Sequence, residues 1–193
     1  MTLAPWRSVL GRSLHLNRAL VYARYFQLAT VRANGRPANR TVVYRGFLPD
    51  SNAIAIITDQ RSQKISQIEQ NGWAEICWYF PKTREQFRFA GVLNIVDTVH
   101  PNESWQKAYH ETWQKLSEAA RAQFYGVTPG QPRKSELIEP EFEFAPDAIP
   151  ESFRLLVFEP EDLDYLDLRT HPHDHYHYWQ DEAGQWQKEW LMP

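Results

Sequence analysis

A single cysteine, Cys77, stands among the 193 residues, so no disulfide can form within the chain. It lies in an apolar run, Ala74–Phe80, which points to a buried thiol rather than a reactive one. No apolar run reaches membrane-spanning length, and the opening MTLAPWRSVL lacks a signal-peptide pattern, so a cytoplasmic location is expected. An excess of basic residues is also missing. The net charge is −3 and the pI about 6.2, which argues against non-specific binding to nucleic acid. There is no Gly-rich phosphate loop and no nucleophile elbow, and His110-Glu111 has no second histidine to complete a zinc-protease helix. Neither an internal repeat nor a low-complexity tract breaks the chain, and its length fits one domain over residues 1–193.

What is present is a large apolar fraction, 42%, with 14% aromatic residues and eight tryptophans. That is enough for a real core and for stacked aromatic surfaces or an interface. The most informative stretch is LATVRANGRPANRTVVYRGF, Leu28–Phe47. Two apolar runs, Phe26–Val31 and Thr41–Tyr44, flank Asn34-Gly35, a pair that tolerates positive φ at both central positions of a tight hairpin turn. Arg40 opens the second strand and Arg45-Gly46 closes it. Cations on a strand that reads as buried are costly unless an anion meets them. The two arginines differ in strand parity, so a straight strand aims them at opposite faces. One site can use both only if the strand distorts, or if Arg45 lies past its end.

The remaining elements follow from periodicity. A helix is expected over about 5–20, with Pro5 in its first turn. Asn52–Thr58 reads as a strand and Ser62–Gln70 as a helix, with Gly72 as its left-handed stop. Trp73–Phe80 reads as a buried strand, and Gln86–Asp97 as a strand with Gln86 and Arg88 on one face and Phe87 and Phe89 on the other. Pro101–Phe124 is helical, with Trp105, Tyr109 and Trp113 as a core or interface stripe. Thr128–Pro150 reads as an irregular excursion. Phe153–Phe158 and Leu163–Leu168 read as two strands, and a final hairpin over about 175–191 turns at Glu182-Ala183-Gly184. The fold class is α+β, mostly antiparallel β sheet or barrel.

Three places could carry chemistry. At Ile57-Thr58-Asp59-Gln60-Arg61-Ser62-Gln63-Lys64, a helix N-terminus with hydroxyls and cations beside it suits a phosphate, or is an ordinary cap. Gln86 can donate and accept along the edge of a heteroaromatic ring, or belongs to a solvent-facing stripe. His171, His173, His175 and His177 would share one face if extended, with Asp174 opposite. No cysteine or second histidine cluster accompanies them, so no metal is expected and a polar site wall is the preferred reading.

Taken in order, LATVRANGRPANRTVVYRGF, IITDQRSQK, REQFRFAG and the closing WLMP resemble the pyridoxamine 5'-phosphate oxidase family, and within it a cyanobacterial and plant branch of oxidase-like FMN-binding proteins. The resemblance spans nearly the whole chain. It implies an antiparallel FMN-binding split β-barrel with flanking helices, and a homodimer with FMN at the subunit interface. It places Arg40 on FMN with the backbone of Thr41, Val42 and Val43 beside the flavin ring. It also implies flavin contacts at Ile57 and Thr58, a phosphate site at Ser62 and Lys64, and Gln86 reaching FMN from the other subunit. Tyr165 stands where the family often has a tryptophan near the cofactor.

The departures concern the substrate more than FMN. Gln63 replaces an arginine on the phosphate, leaving Arg61 or Arg45 to compensate. The oxidase proper has an Arg-x-His-x-Arg segment whose counterparts are His171, His173 and His175: the middle histidine is kept and both arginines are gone. His173 is therefore the candidate catalytic contact, with His171 beside it on the substrate and His175 toward the cofactor. Arg45 stands at a substrate lysine, and the family's Tyr, Arg and Ser substrate-phosphate cluster is not recognisable around Trp113–Arg121. The leading expectation is an FMN-dependent oxidoreductase passing hydride between a small substrate and FMN. The alternatives are a true pyridoxamine or pyridoxine 5'-phosphate oxidase and a non-catalytic flavin- or haem-binding module.

Overall fold

In the computed structural model, the described residues are 3–132 and 148–193. Most of the excursion expected over 128–150 lies outside them. Helix α1 (Trp6–Asn17) buries Trp6, Leu10, Ser13 and Asn17, a stripe at three- and four-residue steps. The strands are β1 (Tyr25–Val31), β2 (Pro37–Val43), β3 (Ile54–Asp59), β4 (Trp73–Phe80), β5 (Glu85–Val96), β6 (Phe153–Asp167), β7 (Asp174–Gln180) and β8 (Trp186–Leu191). Between them lie α2 (Gln63–Gln70), α3 (Glu103–Gln114) and α4 (Glu118–Ala122). Every ladder is antiparallel, in the order β2-β1-β4-β5-β6-β7-β8 with β3 also on β6. The α+β, mostly antiparallel reading holds. Among the described residues no helix is long and apolar enough to cross a membrane.

The sheet curls until its ends meet. Past the end of β2, the Arg45 N–H donates to the Ala55 carbonyl at 3.0 Å, and the Ala55 N–H to the Gly46 carbonyl at 2.9 Å. Gly46 has φ +123, a conformation that bends the chain at this seam. The inside holds Trp6, Phe26, Trp78, Phe87, Phe89 and Phe158. A second cluster lies on the other side of β3 and β6, where α3 sets Tyr109 and Trp113 against Phe153, as the aromatic stripe implied.

Four expectations are corrected. Gly35 has φ +76 while Asn34 is not in the positive-φ region. The Gly35 N–H donates to Arg32 and the Arg32 N–H to Arg36, so three residues close the loop and glycine alone takes the left-handed place. Gly72 is not left-handed either, since Asn71 caps α2 in an extended conformation. Gly72 is instead in close contact, because a Cβ there would meet the Leu93 carbonyl oxygen at 3.2 Å. Strand β4 alternates rather than being buried throughout, which leaves Cys77 half-buried on its outward face.

The fourth correction concerns β6, which is one strand and not two. Its register on β5 slips between Ala90 and Gly91: Ala90 faces Asp162 and Gly91 faces Pro160, so Glu161 is an extra residue. A bulge there tolerates Pro160 within a long strand. Gly91 is what allows the approach, since a Cβ would sit 2.1 Å from the Glu159 carbonyl oxygen and 2.9 Å from Pro160 Cα. Gly91→Ala is therefore expected to cost about 3 kcal/mol, as backbone must move to admit one methyl group. Urea unfolding measures it; a loss below about 0.5 kcal/mol would contradict this packing account.

Candidate functional site

The ends of β1, β2 and β3 and the start of α2 bring two cations together. Arg40 faces Leu28 across the β1–β2 ladder and so shares the inner face with Thr30. Its Nη1 donates to the Thr30 hydroxyl at 2.7 Å and to the Leu28 carbonyl at 3.2 Å. Its Nη2 donates to Gln67 Oε1 at 3.0 Å. Lys64 Nζ donates to Thr58 Oγ1 at 2.8 Å and to Ser62 Oγ at 2.6 Å. Ser62 is the N-cap of α2, and its hydroxyl also accepts from the Lys64 backbone N–H at 3.4 Å. Because both hydroxyl oxygens accept from the ammonium, their own hydrogens stay available for an anion.

Neither Arg40 nor Lys64 forms an ion pair with a carboxylate among the described residues. Burial first, and then the nearby Arg40, push the Lys64 ammonium down to about 8, although Asp59 opposes the shift. Burial, and then Arg32, also lower Arg40. Two partly buried cations and a helix N-terminus, with no ion-paired carboxylate among the described residues, suit a multiply charged anion.

The shift has a measurable consequence. Unfolded Lys64 regains its ordinary value of 10.5, so between about pH 8 and 10.5 the unfolded chain binds more protons than the folded one. The ligand-free protein should then gain stability from this group as pH rises through that window. Urea unfolding at both ends of the window should show a rise in wild type that is smaller in Lys64→Met. Equal pH slopes would contradict the assigned environment.

The other expected residues are distributed as follows. Val42 packs against the inner core, whereas Thr41 is exposed and Val43 half-buried on the outward face. Ile57 packs on the second cluster. Gln63 is exposed at the start of α2. Arg61, a candidate to compensate for the missing arginine, is engaged with its own neighbours: its Nη2 lies 2.6 Å from Asp59, and its Nη1 donates to the Gly126 carbonyl at 3.0 Å. A cavity of about 550 Å³ lies beside Arg61 and Arg154, and Arg154 donates to the carbonyls of Glu151 and Phe153.

Arg45 does lie past the end of β2, which resolves the parity problem. It faces a groove of about 230 Å³ with Arg24, Tyr44, Thr112 and Lys115. Burial, and then Arg24, lower the Arg45 guanidinium.

Gln86 is on the outward face, level with Leu166 and His175 and apart from the Arg40–Lys64 pair. Tyr165 points the opposite way: it is 5% exposed and donates to Glu85 Oε1 at 2.8 Å. The histidines do not share one face. Only His175 and His177 lie on β7, His171 is exposed in the preceding turn, and His173 Nδ1 donates to the Thr170 carbonyl at 2.8 Å. His175 Nε2 lies 3.0 Å from Asp164, which also takes Arg88 at 3.0 Å, and its Nδ1 lies 3.1 Å from the Met192 carbonyl. Burial opposes the charge, yet Asp164 and that carbonyl hold His175 above its ordinary value. His177 pairs with Asp162 at 2.5 Å.

Sequence reading missed Thr30 and Gln67, the two residues that hold Arg40. Thr30 shares strand parity with Phe26 and Leu28, and Gln67 stands beside Ile68 on the buried side of α2. A polar residue at an inward position was the available signal.

With this geometry in hand, similarity to known proteins decides the family. Residues 3–97 match the family model described as pyridoxamine 5'-phosphate oxidase, FMN-binding domain. A relative from Arabidopsis thaliana, pyridoxine/pyridoxamine 5'-phosphate oxidase 2, is 40% identical over 86% of this chain and 85% of its own length. The chain belongs to the pyridoxamine 5'-phosphate oxidase family. A crystal structure of a family-related FMN-binding protein from Nostoc punctiforme superposes with a TM-score of 0.92 at 47% identity, covering all of both chains. PhzG from Burkholderia lata shares the fold, with a TM-score of 0.74 at 18% identity over 100% of this chain and 98% of its own. The residues present fit the family's cofactor, because FMN carries a doubly charged phosphate that the two cations and the hydroxyls of Thr58 and Ser62 suit.

Proposed function

We propose that this family member is a homodimeric FMN-dependent oxidoreductase acting on a small anionic substrate. The observation that carries the reading is the pair of partly buried cations, Arg40 and Lys64, neither ion-paired with a carboxylate among the described residues. Arg40, Lys64 and the hydroxyls of Thr58 and Ser62 would hold the FMN phosphate at the start of α2. The backbone of Thr41–Val43 and Ile57 would border the flavin. Bound FMN supplies a hydride acceptor, and the chain's own residues bind and orient the reactants around it.

A second copy completes the site in this reading. Gln86 and His175 lie on the outward face of the sheet, where they cannot join their own chain's cations. The same face leaves Tyr25, Trp73 and Tyr79 between 41% and 53% exposed, which is apolar surface suited to burial against another copy. Arg45 and Arg24 favour an anionic group on the substrate. His173 keeps its Nε2 free of any partner among the described residues and is proposed to face the substrate, with His171 beside it.

Purification tests this directly. The expected result is a yellow protein with a flavin spectrum, FMN in the denatured supernatant and the sedimentation of a dimer. A colourless monomer that takes up no added FMN would sink the proposal. At the level of substrate, the Arabidopsis relative favours pyridoxine or pyridoxamine 5'-phosphate; oxygen consumption with either separates that activity from another oxidation. A Soret band in place of the flavin spectrum would mark a haem module instead; iron on His175 would displace its contact with Asp164 or with the Met192 carbonyl.

A further inference from the structure

Gln67 is a buried amide in a helix otherwise held by Ile65 and Ile68. Its carbonyl oxygen accepts twice, from the Thr30 hydroxyl at 2.6 Å and from Arg40 Nη2 at 3.0 Å. Thr30 in turn accepts from Arg40 Nη1 at 2.7 Å, so the three side chains form a closed ring of hydrogen bonds. A guanidinium only donates, which fixes the amide with Oε1, not Nε2, toward Arg40. Thr30 and Gln67 are 2% and 8% exposed, so water does not compete for these bonds. Leu28 adds a carbonyl to Nη1.

We propose that Gln67, with Thr30, is the positioning element that orients Arg40 toward the FMN phosphate while leaving its charge intact. The inference rests on the reading that Arg40 meets that phosphate. All three groups that grip Arg40 are neutral acceptors. A carboxylate at position 67 would hold the guanidinium equally well, but it would neutralise the charge and repel the incoming phosphate. An arginine left unheld would lose rotamer freedom at the moment of binding, and affinity would fall accordingly.

FMN titration by fluorescence quenching tests this, with thermal unfolding as a check on folding. Gln67→Leu and Thr30→Val are each expected to weaken FMN roughly tenfold, the scale of one hydrogen bond to a charged group. In an Arg40→Met background the same changes should weaken FMN less than about twofold, because the group they position is gone. Gln67→Glu, which keeps the acceptor, should weaken FMN as well. Equal losses in both backgrounds would show a merely structural role and overturn the proposal. So would unchanged binding by both Gln67→Leu and Thr30→Val. A wild-type chain that takes up no FMN would overturn the cofactor reading itself, an outcome distinct from either.

Discussion

Arg40→Met is expected to weaken FMN binding about 100-fold without destabilising the ligand-free protein. The affinity loss follows from removing charge-assisted hydrogen bonds to a phosphate, each of which contributes about 1.5–3 kcal/mol. The absence of a stability cost follows from the site's electrostatics. Arg40 and Lys64 are like charges in a partly buried place, and Arg40 helps push Lys64 down to about 8. Methionine relieves that repulsion. It leaves Thr30 and Gln67 still bonded to each other at 2.6 Å, so neither of these buried side chains is orphaned. FMN titration and thermal unfolding check the two halves together. A variant that loses stability and FMN in proportion would mean that Arg40 is a structural residue.

The second large effect lies at the start of β5. Glu85 is 0% exposed and accepts from Arg12 at 2.5 Å, from Ser13 at 2.7 Å and from Tyr165 at 2.8 Å, with Arg169 at 3.6 Å. The carboxylate thus ties α1 to β5, β6 and the turn after β6. Glu85→Leu would leave the Tyr165 hydroxyl without its acceptor and release Arg12, while Ser13 keeps the Val9 carbonyl and Arg169 keeps Asp167. Breaking a buried charged network in this way costs about 4 kcal/mol, or a fall in Tm of roughly 8–16 °C for a chain of this size. Glu85→Gln keeps one acceptor oxygen and should cost about half as much. Thermal and urea unfolding measure both, and a Glu85→Leu protein as stable as wild type would contradict this role.

Much of the fold was legible because its signals are local. Strand β4 runs from Trp73 to Phe80 as its apolar run implied, Ser62 caps α2, and Arg45 falls past the end of β2. What stayed hidden depends on residues distant in sequence. Pro160 reads as a strand breaker until Gly91 on β5 admits a bulge beside it. The histidine run reads as one face until Thr170 captures His173 ahead of the strand. Arg40 was visible as an unpaired cation. Its holders were not, since Gln67 is 27 residues away and Thr30 reads as an ordinary strand residue.

The central claim is that the Arg40–Lys64 pair exists for a phosphate. Its most direct test compares FMN with riboflavin, which has the same ring system and no phosphate, in equilibrium titrations of the flavin-free protein. The account predicts that FMN binds at least about 100-fold tighter, and that the double variant Arg40→Met/Lys64→Met abolishes most of the difference. Equal affinity for the two flavins in the wild-type protein would contradict it.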